Sequence, residues 1–155
     1  MIKWIPFTCF IFIIAIASDR LSATHRSFWQ RVTIWSGAIY FAAVSWLTMA
    51  PTSLNIPTAS KHFFYFHQIA YNVIPFQATS WEFFLNIVMT IPAGVYLYLA
   101  SERHRTLSRV LIAGVCLGLF IESSQFIFDL IFDLQRTADI DDVITNALGV
   151  YIGFF

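Results

Sequence analysis

The run Arg136-Thr-Ala-Asp139-Ile-Asp141-Asp142-Val-Ile-Thr-Asn146-Ala-Leu-Gly149-Val-Tyr-Ile-Gly153 sets an arginine, three carboxylates and an asparagine at the mouth of an apolar segment. Carboxylates grouped in this way can hold a divalent cation or move a proton, and a neighbouring guanidinium can clamp a phosphate. Ionisable groups at the edge of hydrocarbon are costly, so their default reading is a site. Glu122, Gln125 and Asn86 lie inside two other apolar segments and are candidate partners. For Arg136, a structural ion pair with Asp139 or Asp142 competes with the phosphate-binding role. For Asn86, Gln125 and Asn146, hydrogen bonds between helices compete with a ligand role.

The elements that must position these residues are membrane helices. Of 155 residues, 58% are hydrophobic, 18% are aromatic and only 12% are charged, and the mean hydropathy is +0.69. A soluble domain of this size would need far more polar surface. Apolar stretches run over residues 2–17, 32–49, 82–100, 110–128 and 143–155. The middle three have the roughly 17–25 residues that cross a bilayer. The first is read as a retained helix rather than a signal peptide, because Ala15-Ile-Ala17 runs into Asp19-Arg20 and not into a cleavage site. The last would span only about 20 Å at 1.5 Å per residue.

Arg20, Arg26 and Arg31 lie in the first loop and Arg103, Arg105 and Arg109 in the third, whereas the other flanks hold Lys3, Lys61 and Arg136. The positive-inside rule then puts the first and third loops in the cytoplasm, and the N-terminus and the Asp-rich loop outside. The expected fold is an all-α polytopic membrane bundle of about five transmembrane helices, organised as residues 1–31 (an N-terminal membrane helix and cytoplasmic loop) and residues 32–155 (the main membrane domain).

Spacing predicts which faces meet. Glu122, Gln125 and Asp129 are three and four apart, so they share a helix face, with Glu122 roughly 10 Å deeper than Asp129. Asp142, Asn146, Gly149 and Gly153 form one stripe, polar above and small below, suited to close helix contact. Asn86, Glu122, Gln125, Asp142 and Asn146 fall at similar depth, and Asn86, Glu122, Gln125 and Asn146 are expected to face one cavity open to the outer leaflet. Asp139 should cap the last helix, Asp142 should face inward and Asp141, rotated by about 100°, should face water. Thr79-Ser80-Trp81-Glu82 has the form of a capping box. The aromatic loop around Phe63-Phe64-Tyr65-Phe66-His67 suits a re-entrant or interfacial segment. Cys9 and Cys116 read as buried thiols, and His62 and His67 have no metal-ligand spacing.

The ordered set Asn72-Val-Ile-Pro75-Phe76, Asn86 with Pro92 and Gly94, Glu122-Ser-Ser-Gln125, then Arg136, Asp139, Asp142, Asn146, Gly149 and Gly153 resembles the VanZ-like family of bacterial membrane proteins. The resemblance covers about Trp46 to the C-terminus, with a last helix shorter than it suggests. It implies a multi-pass protein of the bacterial cytoplasmic membrane and a link to low-level resistance to the lipoglycopeptide teicoplanin.

No Gly-rich phosphate loop, metalloprotease helix, nucleophile elbow or basic stripe for nucleic acid is present. Two readings remain. The favoured one is a binder whose outer-leaflet polar site (Asn86, Glu122, Gln125, Arg136, Asp139, Asp142 and Asn146) takes a membrane lipid, a lipid-linked envelope intermediate or a lipoglycopeptide. The alternative is an enzyme on a lipid headgroup or polyprenyl phosphate, with catalytic candidates Glu122, Asp139 and Asp142 and a divalent cation on Asp139 and Asp142.

Overall fold

The computed structural model describes residues 2–23, 26–51, 62–67, 69–77, 81–100, 106–134 and 136–155. The expected capping box at Thr79 and Ser80, and the loop charges Lys61, Arg103 and Arg105, lie outside the described residues. The chain divides into two compact units, 1–51 and 52–155.

In the first unit a 3-10 turn, Ile2–Trp4, leads into α1 (Ile5–Ala23), and α2 (Phe28–Met49) follows. Pro6 falls in the first turn of α1, where its missing N–H leaves no bond unmade. Ser27 begins α2 with a capping box: its hydroxyl accepts the Gln30 N–H at 3.4 Å, and Gln30 Oε1 accepts the Ser27 N–H at 3.0 Å. Trp4, Phe7 and Trp46 join the two helices, with ring centroids 5.5 Å apart for Trp4–Trp46 and 5.3 Å for Phe7–Trp46. Most of the remaining large apolar side chains of both helices, Phe12 and Ile39 among them, point outward. Such a surface needs lipid as its solvent.

The second unit holds β1 (Phe64–Phe66), β2 (Ile69–Asn72), α3 (Trp81–Ala100), α4 (Leu107–Phe132), β3 (Ala138–Asp139) and α5 (Ile140–Phe154). Four helices, Ile2–Ala23, Phe28–Met49, Trp81–Ala100 and Leu107–Phe132, are long and apolar enough to cross a membrane. With α5, whose 15 residues rise about 22 Å, they make the expected helical membrane protein. Cys9 and Cys116 are free, but they lie exposed on their helices and not in the interior.

The aromatic loop has regular structure. It is a strand hairpin: β1 runs antiparallel to β2 with Phe64 opposite Tyr71, and β3 adds parallel to β2 with Asn72 beside Asp139. Aromatic residues favour the pleated surface and gain from cross-strand pairing, here a stacked Phe64–Tyr71 pair at 5.7 Å. The turn between β1 and β2 includes His67 with φ 55°.

Glycines set the helix packing. A methyl at Gly149 would fall on the Thr90 hydroxyl and the Ile87 carbonyl, and one at Gly153 on the Ile91 carbonyl, so α5 lies directly against the backbone of α3. Gly118 and Gly114 of α4 face Val143 and Ala147 of α5, where an added Cβ would come within 2.8 and 3.0 Å of backbone atoms. Small residues on both sides let α5 insert between its neighbours. Below this seam Val110, Val150 and Phe154 form a buried core flanked by Ala93, Leu97 and Leu117.

Candidate functional site

The N-terminus of α5 is where the polar residues converge. Asp139 is its N-cap, as the spacing predicts, and Oδ1 accepts the Asp141 N–H at 2.9 Å. The same oxygen accepts from Asn72 Nδ2 at 2.9 Å, and the Asp139 N–H donates to Glu122 Oε2 at 3.0 Å. One residue therefore ties β2, α4 and α5 together. Asn72 completes the knot: Nδ2 also donates to the Ile74 carbonyl at 3.0 Å, and Oδ1 accepts the Ile74 N–H at 2.9 Å and Gln77 Nε2 at 2.7 Å. Its amide is fully used.

Asp141 overturns its expectation. It is 1% exposed, and Oδ1 accepts the Phe76 N–H at 2.8 Å. The turn after β2 lies over the first turn of α5, so the side of the helix expected to meet water meets protein backbone. Phe76 has φ 58°, an uncommon conformation for a side-chain-bearing residue, and the bond from Asp141 helps hold it.

The other candidates take separate positions. Glu122 is 7% exposed, and the charges of Asp142, Asp139 and Arg136 all act on it. Asp142 is half-buried on the first turn of α5. The Arg136 N–H donates to Asp129 Oδ1 at 3.3 Å. Burial draws its guanidinium below its ordinary pKa, and Glu82, Glu122 and Asp129 oppose that shift. Asn86 and Gln125 are half-buried. Asn146 is 1% exposed; its carbonyl accepts from Thr90 Oγ1 at 2.9 Å, while neither polar atom of its side chain makes a hydrogen bond among the described residues.

A cavity of about 410 Å³ opens beside this knot. Glu122, Asp139, Asn72 and Ser123 supply its polar lining; Tyr71, Val73, Phe126, Ile127, Ala138, Ile140 and Val143 supply the rest. Of the predicted site residues it takes Glu122 and Asp139. Asn86, Gln125, Arg136, Asp142 and Asn146 are not on its lining. Among the described residues no group of three or more His, Cys, Asp or Glu side chains has the geometry to hold a metal ion.

Some participants went unread. Asn72 carried a signal, since Asn followed two residues later by a free N–H and then by proline is an Asx-turn pattern. Gly114 and Gly118 have the small-x-x-x-small spacing of helix contacts. For the buried role of Asp141 the sequence carries no signal.

A family profile described as VanZ/LLP1 matches residues 37–155. Protein VanZ of Enterococcus faecium is 32% identical over 118 residues, which cover 75% of this chain and 67% of that protein. No solved structure matches. The matched region takes in the later part of α2 and all of the second unit, with the knot at Asp139 and the glycine seams of α5, and the chain therefore belongs to the VanZ/LLP1 family.

Proposed function

We propose that this membrane protein binds an amphiphile, such as a lipid-linked cell-envelope compound or a lipoglycopeptide, and so contributes to resistance of the teicoplanin type. In this reading it resides in the bacterial cytoplasmic membrane, with the Asp139 knot toward the outer leaflet. The carrying observation is the cavity: buried carboxylates sit on one part of a mostly apolar lining. Its volume falls in the range of about 300–1,000 Å³ typical of small-molecule sites. Apolar walls suit an acyl chain, and the carboxyl end suits a headgroup.

The enzyme reading draws less support. It needs Asp139 on a cation, but Asp139 Oδ1 already accepts two N–H donors. It also needs Arg136 to clamp phosphate, but the charges of Glu82, Glu122 and Asp129 already act on its guanidinium.

Expression in a susceptible host tests the binder. Ser123→Trp places a large ring on the cavity lining from an exposed position of α4. Teicoplanin susceptibility should return to that of the host, with the variant at normal levels in the membrane. Full resistance with Ser123→Trp at equal expression would remove the cavity from the function.

A further inference from the structure

The cavity's charge says what kind of headgroup it takes. We propose that it selects an amphiphile bearing a cationic amine, a primary ammonium seated against Glu122 beside Tyr71 and Phe126. This rests on the binder reading above and narrows it to a ligand class.

No residue on the lining is basic. Glu122 is buried yet reaches the cavity; Oε2 accepts the Asp139 N–H, and Oε1 accepts no hydrogen bond among the described residues. A buried carboxyl oxygen facing an open space is a place for a donor. Asp139, a second carboxyl, shares the lining with Glu122, and the basic Arg136 is not on it. A phosphate or carboxylate entering here would meet like charge in a low-dielectric setting, whereas an ammonium would meet its counter-charge.

The aromatic lining points the same way. Tyr71 and Phe126 are 6.4 Å apart at 88°, and both border the cavity. Ring faces attract cations, most strongly where water is excluded. An ammonium has three N–H donors and no acceptor, which suits Glu122 Oε1, the Ser123 hydroxyl and a π-face together.

The test uses the full-length protein in uncharged maltoside micelles at neutral pH. Retention of radiolabelled dodecylammonium, dodecanol and dodecyl phosphate is measured over empty micelles. Dodecylammonium should bind saturably and about tenfold more tightly than the other two. Glu122→Gln keeps an acceptor for the Asp139 N–H but takes away the carboxylate; it should bring dodecylammonium down to the level of dodecanol on the same variant, and a size-exclusion profile and unfolding midpoint matching wild type report an intact fold. Phe126→Leu should cut the amine preference by about threefold. Equal or tighter binding of dodecyl phosphate, or an amine preference that survives Glu122→Gln, overturns the inference while the cavity stands. Saturable binding by none of the three overturns the binder reading and this inference together. Two competition series then locate the amine, phosphatidylethanolamine against its N-acetyl form and teicoplanin against its N-acetylated form. Loss of competition on acetylation in either series supports the inference and names the source; loss in neither overturns it.

Discussion

Asp141 and Asn72 show how a side chain can hold backbone that has no helix or sheet to satisfy it. The Phe76 N–H has Asp141 Oδ1 as its acceptor inside the turn over α5. Asp141→Ala leaves that donor unmet and should cost about 1–3 kcal/mol, whereas Asp141→Asn keeps an oxygen in place and should cost less. Thermal unfolding of the purified variants in detergent reads the difference; equal loss would mean that charge, not the hydrogen bond, is what Asp141 supplies. Asn72→Asp replaces an amide donor with a second carboxylate 2.9 Å from Asp139. The variant should lose about 2 kcal/mol or more at neutral pH. Unfolding midpoints of the variant and the wild type at neutral pH check this, and an unchanged midpoint would refute it. Asn72 had its local Asx-turn pattern to announce it, and Asp141 had nothing. The N-cap role of Asp139 was legible because capping is local, while the burial of Asp141 depends on a turn 65 residues away.

Among the elements, α5 is the one whose packing is set by absent side chains. Gly149 and Gly153 meet α3 backbone, and a Cβ at either would overlap the Ile87 or Ile91 carbonyl. Gly114 faces the Ala147 backbone with slightly more room. Alanine at 149 or 153 should therefore destabilise by about 1–3 kcal/mol, and Gly114→Ala by clearly less. Denaturant titration of the three variants gives the ranking, and a Gly114→Ala loss as large as the others would contradict it. The small stripe on α5 was legible as a contact face from its four-three-four spacing. Its partner was not, because several apolar helices offer room and only the matching of Gly149 to Thr90, and of Gly94 to the backbone at Val150 and Phe154, selects α3.

For the whole molecule the open quantity is orientation across the bilayer. Arginines in the first and third loops argue that Ser108, at the start of α4, faces the cytoplasm and that Thr137, beside the Asp139 knot, faces outward. With Cys9 and Cys116 replaced by alanine, Thr137→Cys should react with an impermeant maleimide on intact cells, and Ser108→Cys only after lysis. The reverse pattern would place the cavity on the cytoplasmic side and remove the access to external lipoglycopeptide on which the proposed function depends.

Composition and hydrophobic run length determined by themselves that this chain is a helical membrane protein, because the cost of apolar surface in water and of bare backbone in lipid depends on content more than on arrangement. Local spacing likewise determined the N-cap at Asp139 and the small stripe of α5, since each involves residues within a turn or two. What only the tertiary structure decided was every pairing between distant segments. The aromatic loop forms a hairpin, and its strand β2 pairs with the distant β3. The cavity took Glu122 and Asp139 from the predicted set, since helix rotation and the turn over α5 govern which polar groups share a space. Helical period places a residue on a face, but what that face meets is settled by packing between elements far apart in the chain.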